Sequence, residues 1–350
     1  MDARCRISYC AFFIQGLYDV FGRDRVRFSA KRSRGVSGDD PKADYERYMC
    51  ILLESRAGRP FRISIDSHDG RWLSGHAFDW SDVYAKVNID PATLPSMSHP
   101  KMVATSPNSG YKVWGDRETW MHFWLNMFRC GFKPLPGKSR FRKDYRYQFN
   151  RLPLEAYESV QSTEFPEDEG GPPYVYYVST LWRQANCIEQ TNPWRRLFME
   201  VCKSSPCLFE GGFFASDPGH PQYGDYSHLR VERKYPLMDY FERMQRSVIA
   251  FNTPAVHNCH GWKLSEYLAM GKAILATPIS IVLPKPLEHG RNVRIVANAE
   301  EMREGVTLLL TVRSYREKLS EGAREYRRAY ATPAAAIRLI LESPAFRSIA

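Results

Sequence analysis

The stretch HNCHGWKLSEYLAMGKAILATP, residues 257–278, decides the fold of the second half of this chain. A loop with a glycine leads into a short helix carrying WKLSEYLAM, which Gly271 ends as a C-cap. The apolar run AILAT then predicts a buried strand that Pro278 terminates. Backbone amides at the start of such a helix point outward unpaired, so the same stretch predicts an anion site.

The residues on either side continue this alternation of strands and helices. Buried strands are predicted at YVYYVSTLW (174–182), at Val248–Phe251 and at VRIVA (293–297). Helices are predicted at NPWRRLFMEVCKSS, with Asn192 as N-cap and Pro193 at the first helical position, and at MDYFERMQRS, EEMREGVTLLL and SYREKLSEGAREYRRAY. Alternation of this kind predicts right-handed βαβ units in a doubly wound sheet.

The first half is less regular but is compatible with a second α/β sheet. Strands are predicted at RISID, which ends at Asp66, at DVYAKVNI and at KMVATSP. A helix is predicted over 44–55, and an aromatic-rich helix, ETWMHFWLNMFRC, has a period that fits core packing. The acidic, Gly- and Pro-rich run FPEDEGGPP (165–173) has the composition of a linker. The sequence thus predicts two domains, 1–164 and 174–332, with a ligand cleft between them at the strand ends.

Composition restricts the classes of protein that this chain can belong to. The 350 residues are 43% hydrophobic and 25% charged, as in globular proteins, and no apolar stretch approaches the ~20 residues of a membrane span. Eight scattered cysteines without a CxxC pair predict reduced thiols, and Gln15, Tyr18 and Asp19 interrupt the apolar start too early for a signal peptide. A cytoplasmic location is therefore expected.

The formal net charge of +10 favours phosphorylated, polyanionic or anionic lipid partners. Part of this excess lies in residues 138–147, where Lys and Arg alternate with Phe and Tyr. That cluster is either a solvated face or a peripheral contact with a membrane surface. Nucleic acid is not expected as a partner.

Two side chains in the helix after the glycine loop suit a nucleoside diphosphate. Lys263 lies in the first turn, where a cation neutralises a diphosphate leaving group. Glu266 follows three residues later, and a carboxylate there can accept hydrogen bonds from two ribose hydroxyls.

The segment resembles the nucleotide-binding signature of retaining GT-B glycosyltransferases, E-G-F-G-L-P-x-x-E-A-M-A-x-G-x-P-V. SEYLAMGKAI matches its second half, with Glu266 as the second acidic residue, whereas Asn258 stands where the family has its first glutamate. This departure leaves the stereochemical outcome open, and His260 is a nearby candidate for part of the missing role. The chain is similar still more closely to bacterial glycosyltransferases with an HGWKLSEYLAxGKAI core and a PLEHG element, here 286–290. The resemblance extends from Ser179 to Pro333.

The resemblance implies an α/β fold with two Rossmann-like domains facing each other across a cleft, and a C-terminal helix, 333–350, that packs back on the first domain. It implies sugar transfer from a UDP- or GDP-linked donor to a glycan, lipid-linked or other hydroxyl acceptor, with no cofactor and no metal. Lys263 and Arg183 are the implied catalytic cations. The implied donor-binding residues are Asn258, His260, Gly261, Trp262, Leu264, Ser265, Glu266, Arg196 and His289.

On the acceptor side, polar residues follow the predicted strand RISID. His68 is the candidate for deprotonating or orienting the acceptor hydroxyl, with Asp66 and Asp69 beside it. A metal site and a simple loop turn are alternatives for these three residues. Gly110 lies in SPNSGYKVWG, which resembles the glycine loop of the family's first domain.

Other classes find less support. No GxGxxG, P-loop or GxSxG elbow is present, and DSHD is a poor substitute for the Asp-x-Asp pair of a metal-dependent GT-A enzyme. Two alternatives stay open: a non-catalytic GT-B-like protein, and a basic protein that binds polyanions or a membrane surface.

Overall fold

The computed structural model describes residues 1–31, 48–54, 60–90, 99–134, 137–162, 171–215 and 217–348, together with Val36 and Ala92. They form two compact units: unit 1 comprises Met1–Leu154, Ile281–Pro286 and Arg328–Ala350, and unit 2 comprises Glu155–Ser280 and Leu287–Arg327. These boundaries differ from the predicted ones because residues 155–162 belong to unit 2 and residues 281–286 belong to unit 1. Residues 165–170 of the predicted linker lie outside the described residues.

The sheet of unit 1 has four strands in the order β1 (Tyr48–Leu53), β2 (Phe61–Asp66), β3 (Val83–Lys86) and β4 (Met102–Ala104). Strands β2, β3 and β4 pair in parallel, with Asp66 opposite Lys86 and Lys86 opposite Ala104. The three strands predicted in this half are confirmed. Their carboxyl ends share one edge of the sheet, because parallel strands run in one direction.

The helix predicted over 44–55 is wrong for residues 48–53, which form β1 antiparallel to β2. A short apolar run such as YMCILL fits a strand or a helix equally well by periodicity alone. Pairing with β2, which places Cys50 opposite Ser64, provides backbone hydrogen bonds that the local pattern does not reveal. Residues 44–47 and 55 lie outside the described residues.

The described residues of unit 1 also form helices. They are α1 (Ile7–Phe21), α2 (Gly75–Trp80), α3 (Asp116–Arg129), α4 (Lys138–Arg146), α11 (Pro333–Leu341) and α12 (Pro344–Arg347), with a 3-10 turn at Tyr147–Asn150. Helix α11 packs on α1 so closely that a Cβ at Gly16 would lie 2.2 Å from the carbonyl oxygen of Pro333. None of the helices in the described ranges is long and apolar enough to cross a bilayer.

The described residues of unit 2 form six strands, and every ladder between them is parallel. They are β5 (Tyr174–Thr180), β6 (Leu208–Phe214), β7 (Arg230–Val231), β8 (Ala250–Asn252), β9 (Ile274–Ala276) and β10 (Arg294–Ile295), which pair as β5-β6-β7 and β8-β9-β10. Strand β5 lies beside β8, and Val248 N donates to Tyr174 O over 2.9 Å. From edge to edge the order is β7-β6-β5-β8-β9-β10, the 3-2-1-4-5-6 arrangement of a Rossmann fold. The predicted doubly wound sheet is confirmed.

The helical segments of unit 2 connect these strands. The α-helices are α6 (Asn192–Lys203), α7 (Leu237–Arg246), α8 (Gly261–Ala269), α9 (Ala299–Thr311) and α10 (Arg313–Tyr326), and α5 (Leu154–Glu158) contains the boundary between the units. Shorter 3-10 or π turns occur at Ser159–Ser162, Cys187–Thr191, Ser227–Leu229, Val256–Asn258 and Arg327–Ala331.

Two helix ends test the predicted capping residues. Gly271 has φ +59°, its N–H bonds to Leu268 O, and Lys272 N bonds to Tyr267 O, which together form the C-terminal cap predicted for α8. Asn192 is wrong as an N-cap, because the π turn 187–191 runs directly into α6. Its side chain instead donates to Trp182 O and to Gln222 Oε1.

The core of unit 2 lies between the sheet and helices α6, α9 and α10. Apolar side chains from β5, β8 and β9 meet those of the three helices, including Tyr177, Phe198, Phe251, Leu275, Met302 and Leu319. The rings of Phe198 and Phe251 stack at 4.4 Å. This packing fixes the strand ends from which the loops of the candidate site emerge.

Candidate functional site

The order in which strands are added to the sheet of unit 2 reverses between β5 and β8. Strands β6 and β7 lie on one side of β5, and strands β8, β9 and β10 lie on the other side. Among the described residues no ladder pairing joins β5 to β8 beyond the Val248–Tyr174 bond at their amino ends. Open parallel sheets bind ligands in the crevice outside the carboxyl ends of the two strands at such a point. The loops after Thr180 and Asn252 therefore define the candidate site.

Hydrogen bonds join these two loops. Asn186 Nδ2 donates to Ala255 O and to Asn258 Oδ1, both over 3.0 Å, and its Oδ1 accepts from His257 N over 3.3 Å. Thr191 Oγ1 donates to Pro254 O over 3.0 Å. Asn258 is the predicted donor-binding residue that stands where the signature has its first glutamate. It thus links the loop after β8 to the loop after β5.

The loop that enters α8 has an unusual backbone. His257 (φ +56°) and Asn258 (φ +58°) adopt left-handed conformations that side chains disfavour, and Gly261 (φ +64°) follows at the first position of the helix. Backbone strain of this kind persists only where the surroundings over-determine it, and it is concentrated at functional sites. Here it positions the amino end of α8, whose first-turn amides have no intrahelical partner and favour an anion.

Arg195 brings a buried positive charge to the end of β5. Its side chain is 4% exposed, and its Nη1 donates to Ser179 Oγ over 2.7 Å. In the part of the chain that the structure describes, Arg195 makes no ion pair with a carboxylate, and its Nε has no hydrogen-bond partner. Buried arginines are ordinarily paired with an acid, so this guanidinium is a candidate ligand for an anion.

Lys263, the predicted catalytic cation, extends toward the same place. Its Nζ donates to Val178 O in β5 and lies 4.2 Å from the centre of the Tyr177 ring. Burial, assisted by the positive charge of Arg195 and opposed by Glu266, lowers the pKa of Lys263 to about 7. Two cations that destabilise each other in this way are stabilised together by a bound anion.

Glu266 lies three residues further along α8 and is 7% exposed. It accepts a hydrogen bond from Tyr240 Oη over 3.2 Å. Burial, Tyr267 and the charge of Glu266 hold the pKa of Tyr240 well above its ordinary value, so the phenol remains a donor. The structure thus holds this carboxylate at the sixth residue of α8, where the sequence predicts the contact with ribose.

Two buried hydroxyls complete the polar lining of this edge. Thr253 follows β8 and Thr277 follows β9, and Thr277 N bonds to Asn252 O over 3.1 Å. The Oγ1 atoms of both threonines lack hydrogen-bond partners among the described residues. Because an unsatisfied buried hydroxyl costs about 1–3 kcal/mol, such groups point to a ligand or to water.

The remaining predicted donor residues divide into two groups. His260, Trp262, Leu264 and Ser265 lie at the start of α8 with Gly261. Three others are exposed: Arg183, Arg196 and His289. Arg183 pairs with Asp217, and Arg196 Nε lies 3.6 Å from Glu200. His289 contacts Arg294 and the backbone N–H of Ile295. These ion pairs and hydrogen bonds thus join the Arg183, Arg196 and His289 side chains to groups other than Arg195 and Lys263.

The sequence analysis missed Arg195, Thr253 and Thr277. The signal for Arg195 was present, because it lies three, four and seven residues before Phe198, Met199 and Cys202 on the apolar face of α6. An arginine on that face must be buried, whereas Arg196 one position later faces outward.

In unit 1 the predicted acceptor residues lie at the end of β2 and in the loops after β2 and β4. Asp66 is 1% exposed, pairs with Lys86 Nζ at 2.8 Å and accepts from Tyr84 Oη at 2.7 Å. His68 lies in a turn. Its backbone N–H donates to Asp66 Oδ1, and its ring Nδ1 accepts from the backbone N–H of Gly70. Asp69 is half-buried beside it.

Gly110 is buried in the loop after β4. Lys86, which the sequence analysis missed, was detectable as a lone charge in an apolar strand. No cluster of three or more potential metal ligands occurs among the described residues.

No protein-family model matches this chain, and no similar sequence was found among curated proteins. Among solved structures, a glycosyltransferase from Rickettsia africae is 12% identical over 75% of this chain and 76% of its own, with a TM-score of 0.40. A UDP-forming α,α-trehalose-phosphate synthase from Burkholderia vietnamiensis is 12% identical over 77% and 66% of the two chains, with a TM-score of 0.40.

The C-terminal domain of a group 1 glycosyl transferase from Francisella tularensis is 11% identical over 49% of this chain and 91% of its own, with a TM-score of 0.34. At these identities a likeness concerns the fold.

Proposed function

We propose that this chain is a glycosyltransferase whose unit 2 binds a nucleotide-activated sugar through its diphosphate. The observation that carries the proposal is the buried guanidinium of Arg195, which has no carboxylate partner in the described residues and lies beside Lys263. Both cations lie at the carboxyl end of β5, in the crevice where sheets of this order bind nucleotides. A diphosphate supplies the negative charge that this arrangement lacks.

The residues divide the work of donor binding. Arg195 and Lys263 neutralise the diphosphate, and the first amides of α8 bind its oxygens as the chain turns through Gly261. The carboxylate of Glu266, oriented by Tyr240, accepts hydrogen bonds from the ribose hydroxyls. The hydroxyls of Thr253 and Thr277 are further donors for the ligand.

Transfer of the sugar requires orientation of donor and acceptor and stabilisation of the departing diphosphate. In this proposal Arg195 and Lys263 provide that stabilisation without a metal. His68, Asp66, Asp69 and Gly110 stay predictions for its binding, and Asp66 already satisfies Lys86 and Tyr84.

The test is calorimetric titration of the full chain with UDP and with GDP, with and without EDTA. Lys263→Met should weaken binding of the preferred nucleotide about tenfold or more, because a charge-assisted hydrogen bond contributes about 1.5–3 kcal/mol. Lys272→Met is the matched control. Burial likewise lowers the pKa of Lys272, in unit 2, to about 7, and Lys272 Nζ donates to Gln245 O.

Three outcomes would contradict the proposal: no heat with either nucleotide, equal losses in the two lysine variants, or binding that EDTA abolishes. Release of the nucleotide from a nucleotide sugar, measured with the same variants, separates an enzyme from a non-catalytic binding protein. An enzyme should lose turnover in Lys263→Met and keep it in Lys272→Met.

A further inference from the structure

Helix α3 of unit 1 leaves one apolar face exposed. Thr119, Phe123, Asn126 and Met127 are its buried positions. The opposite face carries exposed large apolar side chains: Trp120 (37%), Met121 (50%), Trp124 (59%), Leu125 (43%) and Phe128 (69%). The sequence period predicts core packing for this helix, and that prediction is wrong for this second face. At 100° per residue these five positions cover an arc of about 140°.

The exposed face continues beyond the end of the helix. Phe132 is 48% exposed, and its ring meets that of Phe128 edge-on at 6.1 Å. We call Trp120, Met121, Trp124, Leu125, Phe128 and Phe132 the aromatic patch. Isolated apolar side chains on a surface are ordinary, but a contiguous set of this kind marks a binding surface.

A stripe of positive charge lies next to the patch. Lys138, Arg142 and Arg146 of α4 are four residues apart, so they share one face of that helix, and all are exposed. Arg142 lines a surface cavity together with Trp120, Phe123 and Trp124, which places the basic stripe against the aromatic patch. Arg129 and Lys133, both exposed, flank Phe128 and Phe132.

Acidic charge is sparse in this region, because Asp116 and Glu118 at the start of α3 pair with Lys112 and Arg23. Between residues 119 and 150 the sequence has seven Lys or Arg residues and a single acidic residue, Asp144. Asp144 is 3% exposed, accepts from Ser8 and lies 3.7 Å from Arg6, so its charge is satisfied inside the unit. The surface is thus apolar at its centre and positive at its margin.

We propose that the aromatic patch and the basic stripe of α4 dock unit 1 on the surface of an anionic lipid bilayer. Trp and Phe side chains enter the boundary between headgroups and acyl chains, where amphipathic rings are enriched, while Lys and Arg contact the lipid phosphates. A protein partner of ordinary composition would bring acidic or apolar groups of its own, but only a bilayer offers both a continuous negative surface and an apolar layer directly below it. This inference does not depend on the proposed function.

The test is sedimentation of the full chain with vesicles of phosphatidylcholine alone and of phosphatidylcholine mixed with phosphatidylglycerol. We expect binding to the mixed vesicles only. Trp124→Ser with Phe128→Ser should reduce it at least about tenfold, since burying one such side chain is worth about 1.5–3 kcal/mol. Lys138→Gln with Arg142→Gln should reduce it roughly 25-fold, because each basic residue near an anionic surface contributes about fivefold.

Matched controls lie on unit 2. Leu208→Ser with Met238→Ser removes two side chains of similar exposure, 56% and 49%, and Arg303→Gln with Lys318→Gln removes two exposed charges. Both controls should bind as the unaltered chain does. Failure of the unaltered chain to bind, or equal binding to the two kinds of vesicle, would overturn the proposal.

Two further results would also overturn it. Loss of binding in the basic variant with full retention in Trp124→Ser/Phe128→Ser would show that the aromatic patch does not enter the bilayer. Concentration-dependent self-association that Trp124→Ser/Phe128→Ser abolishes, measured by sedimentation velocity without vesicles, would assign the patch to a second copy of the chain.

Discussion

Arg195 Nη1 donates to Ser179 Oγ over 2.7 Å and thereby joins the first turn of α6 to the end of β5. The next residue, Arg196, faces outward, with Glu200 near its guanidinium and the ring of Tyr226 below it. The two adjacent arginines therefore differ in the group that lies next to their charge. Arg196 already has a carboxylate neighbour, whereas the charge of Arg195 is buried against a neutral hydroxyl.

Replacing Arg195 by Met should remove most of the affinity for a nucleoside diphosphate. The variant loses a buried charge-assisted hydrogen bond, so we expect Kd to rise about tenfold to a hundredfold in calorimetric titration. Arg196→Met should change Kd by less than about threefold, because exposed ion pairs contribute little. Equal effects of the two substitutions would contradict the assignment of the anion site to Arg195.

Binding of the nucleotide should be coupled to proton uptake by Lys263. Its pKa is about 7 in the free protein, and a bound diphosphate should raise it toward the ordinary value of 10.5. Between these values the complex holds one proton more than the free protein, so affinity should fall as pH rises, by up to about tenfold per pH unit.

Calorimetry at about pH 8, in buffers of different ionisation enthalpy, measures this uptake directly. We expect uptake approaching one proton for the unaltered chain and for Lys272→Met, and none for Lys263→Met. Uptake that persists in Lys263→Met would show that another group titrates.

Substitution of Glu266 should weaken the binding of a nucleoside diphosphate but not the binding of pyrophosphate. Glu266→Gln keeps the size of the side chain but weakens its acceptance of ribose hydroxyls, so UDP or GDP should bind about tenfold more weakly. Pyrophosphate, which has no ribose, should bind this variant as it binds the unaltered chain. Equal weakening of both ligands would indicate that Glu266 acts on the charge of the site and not on the sugar.

The sequence predicted the second half of the fold well because its signals are local. The run YVYYVST, the strand–helix alternation and Gly271 each specify their own element, and the parallel order follows from short connections. The strand β1 was missed because its pairing with β2 is decided by distant residues.

The site was predicted less completely than the fold. Lys263 and Glu266 are readable from the signature, but the choice between Arg195 and Arg196 depends on which face of α6 is buried. The exposed face of α3 was missed for a related reason. Apolar residues lie both on its buried side, with Phe123 and Met127, and on its exposed side, so the period does not identify the side that meets the core.

Replacing Gly261 by alanine should destabilise the protein because of the backbone conformation at this position, not because of a steric clash. Its φ is +64°, and an added Cβ would meet only Ala255 Cβ at 3.4 Å, an ordinary contact. Gly261→Ala should therefore cost about 1–2 kcal/mol in the free energy of unfolding measured with urea, and should displace the amides of α8 and weaken nucleotide binding. Gly224→Ala, where a Cβ meets open space, is the control and should leave both quantities nearly unchanged. A fully stable Gly261→Ala variant with intact binding would show that the loop does not need this conformation.

Asp66→Asn should destabilise unit 1 more than most single substitutions do. Lys86 is 0% exposed, and removal of its partner leaves an uncompensated buried cation, for which about 3–5 kcal/mol is expected in urea unfolding. Adding Lys86→Met should recover most of that loss, because no buried charge then remains. If the double variant regains stability but not transferase activity, Asp66 also serves the acceptor, as the sequence predicts. If it regains both, Asp66 is a structural partner of Lys86 and Tyr84. A loss below about 1 kcal/mol in Asp66→Asn alone would contradict the buried ion pair itself.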